Sequence, residues 1–126
     1  MYITGITIGL AIVLAALVLS SSGEKASAPV VPPVVMEQGT QVISIRAKGG
    51  YTPRTIAAKA GVPTVLHMIT DGTFDCSSGL RIPSLGVQQY LPPTGTTTIS
   101  LGTPGAGTLE GMCVMGMYSF AITFAP

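Results

Sequence analysis

Tryptophan is absent from this chain, and histidine occurs once, at His67. A single imidazole with no Ser or Cys partner at a recognised spacing leaves no nucleophile–base pair. Charge is equally scarce. Charged residues make up 9% of the chain and the formal net charge is +1. Without a basic run, and with few aromatic side chains, the sequence excludes a nucleic-acid-binding surface. The carboxylates Glu37, Asp71, Asp75 and Glu110 are scattered and read as solvated loop positions. The glycines of "KGGYTP" and "TPGAG" open no helix, so a phosphate cradle is not indicated. No catalytic constellation emerges, and the chain is not expected to be an enzyme. Disorder is excluded from the other side: 47% of the residues are hydrophobic, enough to build a core.

That apolar content is unevenly distributed. Residues 3–19, "ITGITIGLAIVLAALVL", hold no charge, and Ser20, Ser21 and Ser22 extend the uncharged stretch. The total is close to the roughly 20 residues that cross a bilayer as a helix. Residues 1–22 therefore read as a transmembrane anchor or a cleaved signal peptide. "ASA" at residues 26–28 has the small-x-small form of a cleavage site. It lies well past the apolar run, and no Lys or Arg precedes that run, which favours the anchor. Either way the remainder is expected outside the cytoplasm. The anchor reading makes it a single-pass cell-membrane protein with its domain on the periplasmic or extracellular side.

Residues 23–40 are rich in proline (Pro29, Pro32 and Pro33) and read as an extended linker. From Gln41 to Pro126 the pattern is β. "QVISIRA" alternates, with Ile43, Ile45 and Ala47 on one face and Val42, Ser44 and Arg46 on the other. "TVLHMIT", "TTTISL" and "YSFAITF" read as strands from their β-branched and aromatic content. "GG", "DG", "PPTG" and "TPGAG" supply the turns between them. No helical period appears after residue 40. The expectation for residues 41–126 is an all-β domain, a small sandwich or barrel. In "TVLHMIT", His67 alternates with Leu66 and Met68 and is expected on the outer face.

The remaining chemistry is sulfur. Three of six methionines, Met112, Met115 and Met117, flank Cys113, one of two cysteines. Thiolate and thioether are soft donors, and soft donors select Cu(I) among biological metals. The other readings stay open. Methionine fills irregular core gaps, and two cysteines of an extracytoplasmic domain commonly pair as a disulfide.

Four stretches carry a family resemblance. Residues 48–66, "KGGYTPRTIAAKAGVPTVL", show a "GGY-x-P" opening and an "I-x-x-K-x-G-x-P" turn. Residues 76–101, "CSSGLRIPSLGVQQYLPPTGTTTISL", contain a "P-x-x-G" stretch and an "LP-x-x-G" turn. "GTPGAGTLEGMC" and "CVMGMYSFAITF" complete the series. In this order they resemble the cupredoxins, and among them the cupredoxin-like domains of bacterial and archaeal membrane-linked or secreted copper proteins. The resemblance implies a Greek-key β-sandwich in which residues 76 and 113 converge at one end. Cys76 falls where blue-copper proteins usually place their first ligand His, and Cys113 where they place the ligand Cys. Met117 falls near their downstream Met, and Met115 where a second His would be sought. "CVMGM" stands for the "CGMGM" of the nearest relatives. "MYSFAITF" lacks the basic residue common after that loop.

The resemblance thus implies a copper site made of Cys76, Cys113 and one or both of Met115 and Met117, with Cu(I) favoured because sulfur replaces both imidazoles. Copper capture, relay or homeostasis is the leading expectation. The partner implied is a copper-dependent membrane protein or oxidase. The alternatives are an electron carrier serving a membrane oxidoreductase, and a metal-free accessory sandwich closed by a Cys76–Cys113 disulfide.

Overall fold

The computed structural model describes residues 32–126. The expected anchor, and the linker as far as residue 31, lie outside the described residues. Ten strands follow in chain order: β1 (Val34–Glu37), β2 (Thr40–Ala47), β3 (Tyr51–Thr52), β4 (Thr55–Lys59), β5 (Thr64–Thr70), β6 (Gly79–Ile82), β7 (Val87–Tyr90), β8 (Gly95–Gly102), β9 (Gly107–Cys113) and β10 (Ser119–Ala125). One sheet has the order β1-β2-β5-β8, with β3 also paired to β2, and the other the order β4-β10-β9-β6-β7. Both are mixed, because β2 runs parallel to β5 and β4 parallel to β10. Only two short 3₁₀ turns, Cys76–Ser78 and Pro83–Leu85, interrupt the strands. Among the described residues no helix is long and apolar enough to cross a membrane.

The all-β sandwich expected from the sequence is therefore found. The alternation in β2 works as read: Ile43, Ile45 and Ala47 are buried while Arg46 is exposed. β5 does the same, burying Leu66 and Met68 and leaving His67 partly exposed on the other face. These side chains meet Leu80, Ile82, Phe120, Ile122 and Phe124 of the second sheet in one core. Removing such side chains from water is the main favourable term for the fold, about 25 cal/mol per Å² of apolar surface.

Residues 34–40 correct the expected linker boundary. Val34–Glu37 form β1 and pair antiparallel with Thr40–Ile43. Gln38 and Gly39, both at positive φ, make the two-residue turn between them. The carbonyl of Pro33 accepts from the amide of Ser44 at 2.8 Å. Prolines dominate the composition of this stretch, yet an edge strand tolerates a proline at its start.

One end of the sandwich is sewn shut by Gln41, which is buried. Its Nε2 donates to the Lys59 carbonyl and to Thr64 Oγ1, both at 3.0 Å, and its Oε1 accepts from the Lys59 amide at 2.9 Å. The two sheets are thereby joined where β2 begins and β4 ends. The candidate site lies at the other end, where β2, β5 and β9 finish.

Candidate metal centre

Cys113 is the last residue of β9 and is fully buried. Its position follows from the ladder. It pairs with Leu80 of β6, and its amide donates to the Tyr118 carbonyl at 3.0 Å across the β9–β10 loop. The loop closes tightly because the Gly116 amide donates to the Cys113 carbonyl at 2.8 Å, with Gly116 in the left-handed region at φ 72°. The amide of Tyr118 then points back at Cys113 Sγ, 3.4 Å away. Beneath the loop, Gly111 lies under the ring of Phe120, its cross-strand partner; a Cβ at Gly111 would stand inside that ring's van der Waals envelope. A glycine that reads as a strand breaker is here the seat of an aromatic side chain.

Cys76 is held differently. It opens the 3₁₀ turn Cys76–Ser78, and Asp75 caps that turn. One carboxylate oxygen of Asp75 accepts from the Ser77 amide at 2.8 Å and from the Ser77 hydroxyl. The other accepts from the Gly49 amide in the β2–β3 turn at 2.8 Å. These bonds favour the charged form, and they hold the Asp75 carboxyl below the usual carboxylate range, the Ser77 hydroxyl contributing most. The buried Tyr51 hydroxyl donates to the Ser77 carbonyl at 3.3 Å, while its ring meets Phe120 edge-on at 5.1 Å. Burial pushes this hydroxyl's pKa well up, and the neighbouring sulfurs and Asp75 act in the same direction. Behind the turn, the Val114 amide donates to the Gly79 carbonyl at 2.8 Å. The Val114 side chain lies so close that a Cβ on Gly79 would come within 2.8 Å of it. Gly79 is thus required by the Val114 side chain.

The structure brings the two thiols together at this pole as free cysteines, Cys76 half-buried and Cys113 fully so. The neighbouring Cys113 thiol is the main reason the Cys76 pKa rises, with burial adding to it. At Cys113 burial alone would raise the pKa. The neighbouring Cys76 thiol and the amides of Tyr118, Met115 and Met117 outweigh burial and hold the thiol below its usual range. The amides of Met115 and Met117 face both sulfurs, whereas the side chains of these methionines stand 75% and 69% exposed at the rim. Met112, the third of the cluster, lies on β9 outside this group, beside Glu110 and Ser84.

Among the described residues no group of three or more His, Cys, Asp or Glu side chains is placed to hold a metal ion. His67 lies opposite Ser44 and Thr98 in the first sheet, away from the sulfurs. What the pole offers is two neighbouring thiols and two exposed thioethers on the same short loop, a donor set suited to a soft ion. The sequence reading missed Asp75 and Tyr51. Asp75 was expected to be a solvated loop carboxylate; the only local sign to the contrary is the Asp-x-Ser spacing, which lets a carboxylate accept from an amide two residues on.

The family model for a cupredoxin-like domain matches residues 9–123, and the chain belongs to that family. No curated protein sequence matches it. Among solved structures it is similar to the metal-binding domain of the Streptococcus pneumoniae Cu(I)-exporting P-type ATPase CopA with Cu(I), at 22% identity and a TM-score of 0.67, covering 74% of this chain and 93% of that one. A copper-binding protein solved in the apo form is 24% identical, with a TM-score of 0.67 over 76% of this chain and 98% of its own. A chain of a heme-copper terminal oxidase dimer is 16% identical, with a TM-score of 0.56 over 97% of each chain. At these identities the likeness is one of fold.

Proposed function

We propose that this protein is a membrane-tethered, extracytoplasmic copper-binding cupredoxin-like protein that captures and relays copper without catalysing a reaction. Cys76 and Cys113 would hold Cu(I), joined by one or both of Met115 and Met117. The observation that carries the reading is the convergence at one pole of two thiols 37 positions apart in the sequence, with the amides of Met115 and Met117 turned toward them. A soft, all-sulfur donor set without imidazole favours the monovalent ion. Two of the structures similar in fold are described as a domain with Cu(I) and as a copper-binding protein. The uncharged run of residues 3–22 supplies the tether, and a copper-dependent membrane protein or oxidase is the partner that such a tether would keep close.

The test is metal analysis of the full chain, purified anaerobically in detergent, together with a free-thiol count. The expected result is near-stoichiometric copper with no stable Cu(II) form, and loss of copper in Cys113→Ser and Cys76→Ser. Unaltered copper uptake by Cys113→Ser overturns the ligand assignment. A coloured oxidised form with a reversible midpoint potential makes the protein an electron carrier instead.

A further inference from the structure

We propose that Asp75 is a positioning residue for the thiol pair: by bridging the β2–β3 turn to the 3₁₀ turn, its carboxylate sets Cys76 against Cys113 before any metal arrives. The two cysteines differ in what anchors them. Cys113 ends β9, paired with Leu80 of β6 on one side and bonded through its amide to the Tyr118 carbonyl on the other. Cys76 precedes β6 by three residues, in a segment between β5 and β6 without strand partners of its own. Its fixed points are bonds within its own turn and ties to neighbouring segments, among them the Tyr51 hydroxyl to the Ser77 carbonyl and the Leu91 amide to the Ser78 carbonyl. The Gly49 amide reaches Asp75 Oδ2, Ser77 is bound to Asp75 Oδ1 through both its amide and its hydroxyl, and the Ser78 hydroxyl and amide return to the Asp75 carbonyl at 2.9 and 3.2 Å. Upstream, Thr73 ties the same segment to the Ala47 carbonyl. All three donors to the Asp75 carboxylate lie at the Gly49 turn or on the turn that carries Cys76. The Gly49–Gly50 turn also touches the other half of the site, since a Cβ on Gly50 would meet the Tyr118 ring at 3.4 Å and the Tyr118 amide faces Cys113 Sγ. One short turn therefore references both sulfurs, and Asp75 is its link to the weaker one. Outer partners that orient a metal ligand typically account for about a 10- to 100-fold difference in affinity.

The inference rests on the copper reading for its ligand and on geometry alone for the thiols, so it is tested twice on the full chain. Cu(I) affinity is measured by competition with a chromophoric Cu(I) chelator. In metal-free protein, the Cys76–Cys113 disulfide is equilibrated against glutathione: two protein thiols and one oxidised glutathione give the protein disulfide and two reduced glutathiones. That equilibrium reads how well the thiols are pre-aligned. Asp75→Ala is expected to lower both constants by about tenfold or more. Asp75→Asn keeps the oxygen that caps Ser77 and loses the one facing Gly49, so it folds and shows a smaller loss in both. Asp71→Asn, which removes the charge of an exposed carboxylate four residues upstream, changes neither. Equal constants in wild type and in both Asp75 variants overturn the proposal, as does a lower melting temperature with both constants unchanged. A wild-type chain with no Cu(I) affinity but an Asp75-sensitive disulfide equilibrium removes the copper reading and leaves the positioning role standing.

Discussion

The two ends of the sandwich solve the same problem with different chemistry. At the closed end a neutral amide, Gln41, spends both its oxygen and its nitrogen on Lys59 and Thr64, and nothing reactive is left over. At the other end an ionised carboxylate, Asp75, ties two loops together, and the tie leaves two sulfurs facing each other with two exposed thioethers beside them. No buried side-chain nitrogen or oxygen among the described residues lacks a partner. The difference teaches where this fold keeps its stability and where it keeps its chemistry. Hydrogen-bonding capacity is saturated at one pole. At the other, the groups left unsaturated are soft donors, whose burial costs less than that of an unpaired oxygen or nitrogen.

The contrast is broken most severely at Gln41. Gln41→Ala removes the partner of the Lys59 amide and carbonyl at a partly buried junction and is expected to cost about 2 kcal/mol. Urea unfolding measures this, and copper stoichiometry should not change. The next largest effect tests the packing behind the site. Gly79→Ala drives a methyl group to within 2.8 Å of Val114 Cγ2. It should destabilise by about 2 kcal/mol, and much of the loss should return in the double variant Gly79→Ala/Val114→Gly. Additive costs in that double-mutant cycle would show that the Val114 contact is not the cause. Tyr51→Phe removes the donor to the Ser77 carbonyl and should cost about 1 kcal/mol. Hydrogen exchange should report the loss near the Cys76 turn and leave the Cys113 amide as protected as before.

The smallest effect is one of pH. The Asp75 carboxyl is held below its ordinary value by the Ser77 hydroxyl and by the Gly49 and Ser77 amides. A depressed carboxylate contributes stability above its unfolded pKa of about 3.9, and that contribution is lost as pH falls through the lower folded value. The wild type should therefore lose a stability increment below about pH 4 that Asp75→Asn never possessed. Urea midpoints of the two proteins, equally displaced at every pH from 7 down to 2, would contradict this.

Much of the architecture was legible locally. β2, β5, β8 and β10 follow from alternation and β-branched content, since a strand with one buried face writes its period into a few residues. β7 was not legible, because "VQQY" is a mostly exposed strand and carries no apolar period. β6 is four residues bounded by Gly79 and Pro83, too short to declare itself. β9 contains Gly111, which reads as a break unless the Phe120 ring above it is known. β1 was hidden by its neighbouring prolines. At the site, sulfur crowding pointed to residues 113–117 directly, while Cys76 entered through family resemblance. Asp75 and Tyr51 stayed hidden because a carboxylate or phenol next to a turn looks the same whether solvated or bonded.

By itself the sequence determined the β class, the outward face of His67 and the concentration of soft donors in one loop, all properties of residues near one another in the chain. Only the tertiary structure decided that the thiol of Cys76 meets that of Cys113, and that Gly49 is the fixed point for Asp75. Those pairs are 37 and 26 residues apart. Their meeting depends on how two sheets stack and where their loops end, and no local pattern encodes such distances.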